Sequence, residues 1–347
     1  MYNLIFCSMK KILIIVVSLL LIVSCGNNNK KSGTTAKLKE VTILLDWSVG
    51  SEHTFLYVGK KMDFFKDRGI NLKIIQGTGS VESANMVDAK STDFALCSGE
   101  TALQSKAAEN PRNIQVISVY YPNTPTVIFS LADKNIAKPN DLYGKSVGIM
   151  DGSSAFKNYV FFCKKNKIDR TKINEISTTG DIKEVIAQNS KLDAMVHFGY
   201  QHPLRLRLMN YEVNEIKLSD YDVQLFGLSL IAHTDLIEKN PALVRDVVQS
   251  IQKSIKYTIE NPDEALTIFL DENPQSDREY AKSKLKWVNE FVLSGLSDNK
   301  IVGYQTEIGW GKTYEYLKSI DGIKREINLN GFFTNKFLGD SDEYKIQ

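Results

Sequence analysis

Four polar loops, each next to an apolar stretch of strand length, carry the side chains that could recognise a small molecule. The loops span residues 46–53, 97–100, 151–154 and 197–202. They combine carboxylates, imidazoles, hydroxyls and aromatic rings, which can bind a planar polar molecule by hydrogen bonding and stacking. Ligands of open α/β sheets lie at the carboxyl ends of strands. We therefore expect a ligand site formed by Asp46, Trp47, His53, Ser98, Glu100, Ser153, Ser154, His197 and Tyr200.

The charge of these loops favours some ligands over others. They contain Asp46, Glu52, Glu100 and Asp151 but no Arg or Lys. An anionic ligand needs cations or free helix N-termini, and Gly152-Ser153-Ser154 at a helix start keeps that possibility open. The chain shows no nucleophile–base pair, phosphate-binding loop or metal-ligand spacing. We therefore expect neither a metal nor a cofactor.

The first loop lies inside a strand–loop–helix–strand unit that spans residues 41–69 and the strand after it. The apolar run 41–45 is typical of a buried strand. Apolar residues from His53 to Phe65 fall close to a helical period, and Arg68-Gly69 supplies a cation and a C-cap glycine. A second strand is predicted at 71–75. This unit places Asp46 and Trp47 where its first strand ends.

Strands and helices alternate along the chain, which indicates an α/β architecture. Polar, proline-containing residues near 121–125 and a return near 220–224 are the candidate hinges. They divide the chain into lobe I, formed by residues 39–125 plus 223–347, and lobe II, formed by residues 126–222. Beyond Asp235 the pattern is almost entirely helical, with predicted helices at 241–260, 262–270, 277–291 and 305–320. Such lobes, joined by two hinge crossings, can close around a ligand.

The amino terminus has the pattern of an export signal. Met9-Lys10-Lys11 precedes an apolar stretch, 12–23, of signal-peptide length. The stretch ends in Val23-Ser24-Cys25-Gly26, which resembles a bacterial lipobox, in which the cysteine is diacylated. We predict a signal peptide over 1–24, lipidation at Cys25 and a flexible tether over 25–38. A plain signal peptide or an amino-terminal membrane helix is the alternative.

Composition excludes some function classes and bounds the cysteine chemistry. The 43 Lys+Arg residues nearly balance 41 Asp+Glu, so nucleic-acid binding has no electrostatic support. If Cys25 carries lipid, the mature chain keeps Cys97 and Cys163. Both lie in apolar surroundings, and we expect buried free thiols rather than a disulfide.

The order of several short motifs resembles the substrate-binding proteins of importers of thiamine pyrimidine precursors. The matching residues are Leu45-Asp46-Trp47, His53-Thr54, Tyr57-Val58, 64–69, Asp193-Ala194, Phe198-Gly199-Tyr200, 218–222, Asn240-Pro241, 261–265 and Trp310-Gly311. The resemblance implies a type II periplasmic-binding-protein fold. It also implies a monomer, anchored by lipid to the outer face of the cell membrane, that captures hydroxymethylpyrimidine or formylaminopyrimidine for an ABC permease. Trp47 and Tyr200 would then sandwich the heterocycle.

The sequence departs from this family at two places in the loops. Ser48–Glu52 stands where these binders tend to carry Pro-Asn, and Tyr200 stands where they tend to carry an aromatic residue, often tryptophan. Riboflavin or a sulfonate- or nitrate-type anion therefore stays an alternative ligand. The family also includes the yeast synthase that makes the same pyrimidine. Its lysine and histidine near the third strand, and its cysteine cluster, have no counterpart in residues 97–101 or 223–230, so we expect a binding protein rather than an enzyme.

Overall fold

A computed structural model describes residues 37–187, 190–296 and 298–346. The predicted signal peptide, lipidated Cys25 and almost all of the tether lie outside the described residues. Within those ranges, no helix combines the length and the apolar character that a membrane crossing requires.

Two five-stranded mixed sheets form the centre of the fold. The first has the order β2-β1-β3-β10-β4, in which β10 runs antiparallel to its two neighbours. Its strands are β1 (Lys39–Leu44), β2 (Ile70–Ile75), β3 (Phe94–Ser98), β4 (Ile114–Val119) and β10 (Leu228–His233). The second has the order β7-β6-β8-β5-β9, in which β5 is the antiparallel strand. Its strands are β5 (Thr126–Leu131), β6 (Ser146–Ile149), β7 (Asn174–Ser177), β8 (Ala194–Phe198) and β9 (Val213–Lys217).

The chain passes from one sheet to the other twice, between β4 and β5 and between β9 and β10. These two crossings are hydrogen-bonded to each other. Gly227 N donates to Tyr121 O at 2.9 Å, and Leu225 N donates to the side-chain oxygen of Asn123 at 3.3 Å. A segment pair of this kind is the usual location of a hinge between lobes. The lobe boundaries at 125/126 and 222/223 stay a prediction.

Helices cover the sheets, and the carboxyl-terminal third is largely helical. The helices are α1 (Thr54–Lys61), α2 (Ser80–Asp88), α3 (Gly99–Lys106), α4 (Ser154–Lys165), α5 (Lys183–Ile186), α6 (His202–Leu208), α7 (Thr234–Lys239), α8 (Pro241–Glu260), α9 (Pro262–Glu272), α10 (Arg278–Ser294) and α11 (Glu307–Ser319). Each of α6, α8 and α9 has a proline in its first turn, where the missing N–H needs no helical partner.

The strand–loop–helix–strand unit has the predicted order of elements, with a shorter helix. A 3-10 turn over Ser51–His53 precedes α1, and a second over Lys66–Arg68 ends at Gly69 with φ +72°. That left-handed conformation suits glycine and closes the unit before β2. Helix α1 lies very close to α8, because a Cβ at Gly59 would come within 2.2 Å of Ser254 Oγ.

Several element predictions need correction. The structure contains two elements that the sequence pattern does not predict, helix α6 and strand β9. The sequence also predicts a helix over 181–189, but the described residues of that stretch form only the single turn Lys183–Ile186. Lys282–Lys286 reads in the sequence as a solvated face, yet the structure buries Lys284, which is 7% exposed. The prediction of buried free thiols is confirmed for Cys97 and Cys163.

Candidate functional site

The loop after β1 is held by a carboxylate–imidazole pair. His53 Nε2 lies 3.0 Å from Asp46 Oδ1, and the Gly50 N–H donates to His53 Nδ1 at 3.3 Å. His53 is 1% exposed, and both of its ring nitrogens are engaged within the loop. The imidazole thus fixes the orientation of Asp46, which remains partly exposed.

A buried ion pair joins this loop to α10. Lys284 Nζ lies 2.8 Å from Glu52 Oε2, and each side chain is only 9% exposed. Burial alone would raise the pKa of Glu52, but the positive charge of Lys284 and the adjacent His53 outweigh it, and the pKa is lowered. The carboxylate therefore stays ionised. Sequence reasoning missed Lys284 because the charged residues around it have the pattern of a solvent-exposed helix face.

Tyr200 follows β8 in the other sheet and contacts the same lysine. Lys284 Nζ lies 5.5 Å from the Tyr200 ring centroid, within cation–π distance. Phe198 stacks on Tyr200 at 5.7 Å, and Trp287 packs at 5.5 Å. Tyr200 is 8% exposed. Burial raises its pKa well above the usual range, and the charges of Glu52 and Asp46 add to that effect.

Two buried hydroxyls beside these carboxylates lack partners among the described residues. They are Ser51 Oγ and Tyr121 OH. Burial, together with the charges of Glu52 and Asp46, raises the pKa of Tyr121. Buried polar atoms normally have a hydrogen-bond partner. A polar ligand or a water molecule at this place would supply one.

Trp47 lies at the end of β1 with its side chain open to solvent. It is 55% exposed. A Cβ added at Gly79 would lie 3.8 Å from its ring, so the neighbouring loop leaves room beside the indole. None of the ring contacts among the described residues joins Trp47 to Tyr200. The proposed sandwich of a ligand between these two rings stays a prediction.

Glu100 has a strongly raised pKa. It lies in the first turn of α3 and is partly buried. Burial raises its pKa to about 7, although hydrogen bonds with its own backbone and Ser98 and the charge of Lys157 act in the opposite direction. Lys157 belongs to α4, which follows β6 of the second sheet, whereas Glu100 follows β3 of the first. The charge of Lys157 therefore links elements of the two sheets. A carboxyl group with such a pKa can donate a hydrogen bond near neutral pH.

The predicted serines mainly start helices. Ser98 Oγ accepts from Thr101 N at 3.4 Å, and Ser153 Oγ accepts from Phe156 N at 3.1 Å, so each is an N-cap. Ser154 is the first residue of α4 and is partly buried.

His197 Nδ1 accepts from Phe198 N at 2.9 Å, and burial beside His202 lowers the pKa of His197 to about 3. His197 is therefore neutral at physiological pH.

The structure therefore brings together Asp46, His53 and Tyr200, and it adds Glu52, Tyr121 and Lys284. We call these six residues the strand-end cluster. The ligand contacts of the predicted site residues stay predictions. Among the described residues, no group of three or more His, Cys, Asp or Glu side chains is arranged to hold a metal ion.

Comparison with known proteins defines the class and then the family. The periplasmic aliphatic sulphonate-binding protein SsuA from Escherichia coli superposes with a TM-score of 0.67 at 13% identity, over 85% of this chain and 92% of its own. The chain has the periplasmic-binding-protein fold, which confirms the fold prediction. A family model described as NMT1/THI5 like matches residues 50–265, more than half of the chain, so the chain belongs to that family.

Three relatives align over most of their length. The riboflavin-binding protein RibY of Chloroflexus aurantiacus is 23% identical over 87% of this chain and 86% of its own. The formylaminopyrimidine-binding protein of Halalkalibacterium halodurans is 21% identical over 86% and 90%. The 4-amino-5-hydroxymethyl-2-methylpyrimidine phosphate synthase of Legionella pneumophila is 22% identical over 87% and 93%. The family thus joins binding proteins with a synthase.

Proposed function

We propose that this chain is an extracytoplasmic solute-binding lipoprotein that captures a small heterocyclic molecule and delivers it to an ABC permease. A thiamine pyrimidine precursor is the ligand we put first, and riboflavin or a sulfonate- or nitrate-type anion is the alternative. The observation that carries the proposal is the strand-end cluster, in which Glu52 and Lys284 of one lobe meet Tyr200 of the other.

The chemistry of the cluster favours a neutral heterocycle over an anion. Lys284 is a buried cation, but Glu52 neutralises it at 2.8 Å. Asp46 pairs with His53 at 3.0 Å, so the cluster offers an anion no unpaired cation beside Tyr121 and Tyr200. An aminopyrimidine can donate from its exocyclic amine to a carboxylate and accept from a hydroxyl through its ring nitrogens. Two of the relatives are named as binding proteins for heterocycles, riboflavin and formylaminopyrimidine, which supports a heterocyclic ligand here.

The binding role is preferred to an enzymatic one. The loop 97–101 contains neither lysine nor histidine, and 223–230 contains no cysteine. Burial raises the pKa of the Cys97 thiol far above its usual range, so it is a poor nucleophile. A synthase among the relatives keeps catalysis as the second candidate.

A thermal-shift screen of the mature chain tests this function. The screen contains hydroxymethylpyrimidine, formylaminopyrimidine, riboflavin and small sulfonates. A ligand that binds only the folded chain adds about 2.7 kcal/mol at a hundredfold excess over its Kd. We expect one chemical class to raise the melting temperature and to be recovered unchanged by chromatography. Conversion of the hit would instead establish an enzyme.

Calorimetry on single variants then locates the site. Trp47→Ala should weaken binding of a stacked heterocycle by roughly 1–3 kcal/mol. Trp47→Ala is the sharper test, because the Trp47 side chain is exposed and its loss leaves the core intact. Tyr200→Ala also removes the packing of Tyr200 against Phe198 and Trp287. Tyr211→Ala, which removes a 38% exposed ring elsewhere, is the matched control. Unchanged affinity in both Trp47→Ala and Tyr200→Ala would place the ligand elsewhere.

A further inference from the structure

A cavity lies at the crossings, and none of the residues predicted to bind the ligand lines it. Its volume is about 480 Å³, within the ~300–1,000 Å³ typical of small-molecule sites. Pro122 and Asn123 of the first crossing line it, together with Gln224 and Phe226 of the second. The end of α10 and the start of α11 complete its walls. We call it the hinge cavity.

Aromatic residues and an exposed apolar rim form one part of the hinge cavity, whose lining is otherwise largely polar. Phe226, Phe291 and Tyr304 are aromatic residues among those that line it. Ile308 also lines it and is 75% exposed, and Tyr304 is 39% exposed. Exposed large apolar side chains grouped around a concavity mark a binding site more often than scattered ones do. A planar apolar group would cover both side chains.

Polar groups in the same cavity include several hydrogen-bond donors. Lys312 brings an ammonium group, which bonds Gln224 Oε1. Asn123 also lines the cavity, and its side-chain oxygen already accepts from Thr124 N and Leu225 N, so a further contact to this side chain would use its amide N–H groups. Asp220 is the one acid among the lining residues of the described chain. Donors of this kind match a carbonyl or an anionic oxygen.

We propose that the hinge cavity is a second binding site, for a small planar aromatic molecule that carries a carbonyl or anionic oxygen. Both crossings line it and are hydrogen-bonded to each other. A molecule held between them therefore stabilises one relative arrangement of the crossings over others. Such differential binding couples this site to lobe closure, and the coupling is reciprocal.

The probe for the test is 8-anilinonaphthalene-1-sulfonate, a sulfonate on a planar naphthalene ring system, whose fluorescence rises in apolar sites. We expect one saturable site on the folded wild-type chain. Ile308→Asp and Lys312→Gln should each weaken it about tenfold, since each removes roughly 1.4 kcal/mol or more of apolar or charged contact. Leu208→Asp changes a 40% exposed apolar residue elsewhere and is the matched control. All three positions are exposed, and circular dichroism checks that each variant is folded.

Hydrogen exchange supplies the second readout. The probe should slow exchange of backbone amides in both crossings, residues 120–125 and 222–227, in wild type but not in Ile308→Asp. Binding that Ile308→Asp and Lys312→Gln leave unchanged, or that Trp47→Ala alone weakens, would overturn the proposal. Protection confined to one crossing would overturn the coupling. Trp47→Ala separates binding of the probe at the strand-end cluster from binding in the hinge cavity, so this proposal can fail independently of the proposed function.

Discussion

At the scale of single residues, Lys284 is central because it contacts both lobes. Its ammonium group pairs with Glu52 and lies near the rings of Tyr200 and Tyr280, at 5.5 and 5.2 Å. A cation in such a place stabilises only while its counter-charge and neighbours remain in position. The pair therefore makes the first loop, α10 and the segment after β8 depend on one another.

Removing one member of this pair should destabilise the chain strongly. Lys284→Met leaves Glu52 buried without its counter-charge, which we expect to lower the free energy of unfolding by about 3–5 kcal/mol. The double variant Glu52→Gln with Lys284→Met should recover much of that loss. Urea unfolding measures both. Lys286→Met is the control, because Lys286 lies two residues further along the same helix and its side chain is 77% exposed. Equal urea midpoints of unfolding for Lys284→Met and wild type would refute the role of the pair.

Glu100 gives a prediction about pH. Its carboxyl group holds a proton up to about pH 7 in the folded chain, against a value of 4.5 for an unperturbed glutamate. Between pH 4.5 and pH 7 the Glu100 carboxyl group binds fewer protons in the unfolded chain than in the folded chain. The contribution of Glu100 to the free energy of unfolding therefore falls as the pH rises. Glu100→Gln should remove this contribution. Urea unfolding measures the free energy of unfolding at pH 5 and at pH 7.5. From the lower to the higher pH, wild type should lose more of it than Glu100→Gln, and equal losses in the two proteins would contradict the raised pKa.

At the scale of elements, the helices with strong amphipathic patterns were predictable and the short polar ones were not. Helix α8 was predicted at 241–260 and is observed at Pro241–Glu260, because proline starts it and its apolar residues keep a helical period. Helix α6 was missed since Pro203, Arg205 and Arg207 interrupt the pattern over only seven residues. Its stability comes from tertiary contacts, among them Arg205 over the Tyr280 ring at 4.4 Å.

The same limit applies to the site. Strand-end loops could be found from the sequence because an apolar run followed by polar residues marks where a strand stops. The partners of those loops could not. Lys284 and Trp287 lie far along the chain on α10, and only the folded chain brings them to Tyr200. No local pattern distinguishes Lys284 from its exposed neighbours.

Helix α10 depends on its amino-terminal cap. Asp277 Oδ1 accepts a hydrogen bond from Tyr280 N at 2.7 Å. Asp277→Ala should lower the free energy of unfolding by about 1 kcal/mol, because an N-cap acceptor is lost. Asp277→Asn keeps an acceptor oxygen and should remain close to wild type in thermal unfolding. A loss in Asp277→Asn as large as that in Asp277→Ala would mean that charge, not capping, accounts for the effect.

At the scale of the whole molecule, α10 ties the carboxyl-terminal helices to the second sheet. Trp287 lies against Tyr200, and a Cβ at Gly199 would lie 3.1 Å from the Trp287 ring. Glu100 and Lys157 provide a further interaction between elements of the two sheets. A change at the strand-end cluster therefore alters contacts of elements from both sheets, as the proposed closure of two lobes around a solute requires.

The proposed location of the protein rests on Cys25, which lies outside the described residues. Residues 12–23 are apolar, and Val23-Ser24-Cys25-Gly26 follows them directly. In a bacterium that processes lipoproteins, the wild-type chain should partition into the detergent phase and begin at a diacylated Cys25 in mass spectrometry. Two acyl chains suffice for stable membrane anchoring, whereas one gives only marginal binding. Cys25→Ala should abolish both lipid addition and cleavage before residue 25, while Cys7→Ala, upstream of the apolar stretch, should change neither. An unlipidated amino terminus on the mature wild-type chain would refute the anchor and leave solute binding to be judged by the ligand screen alone.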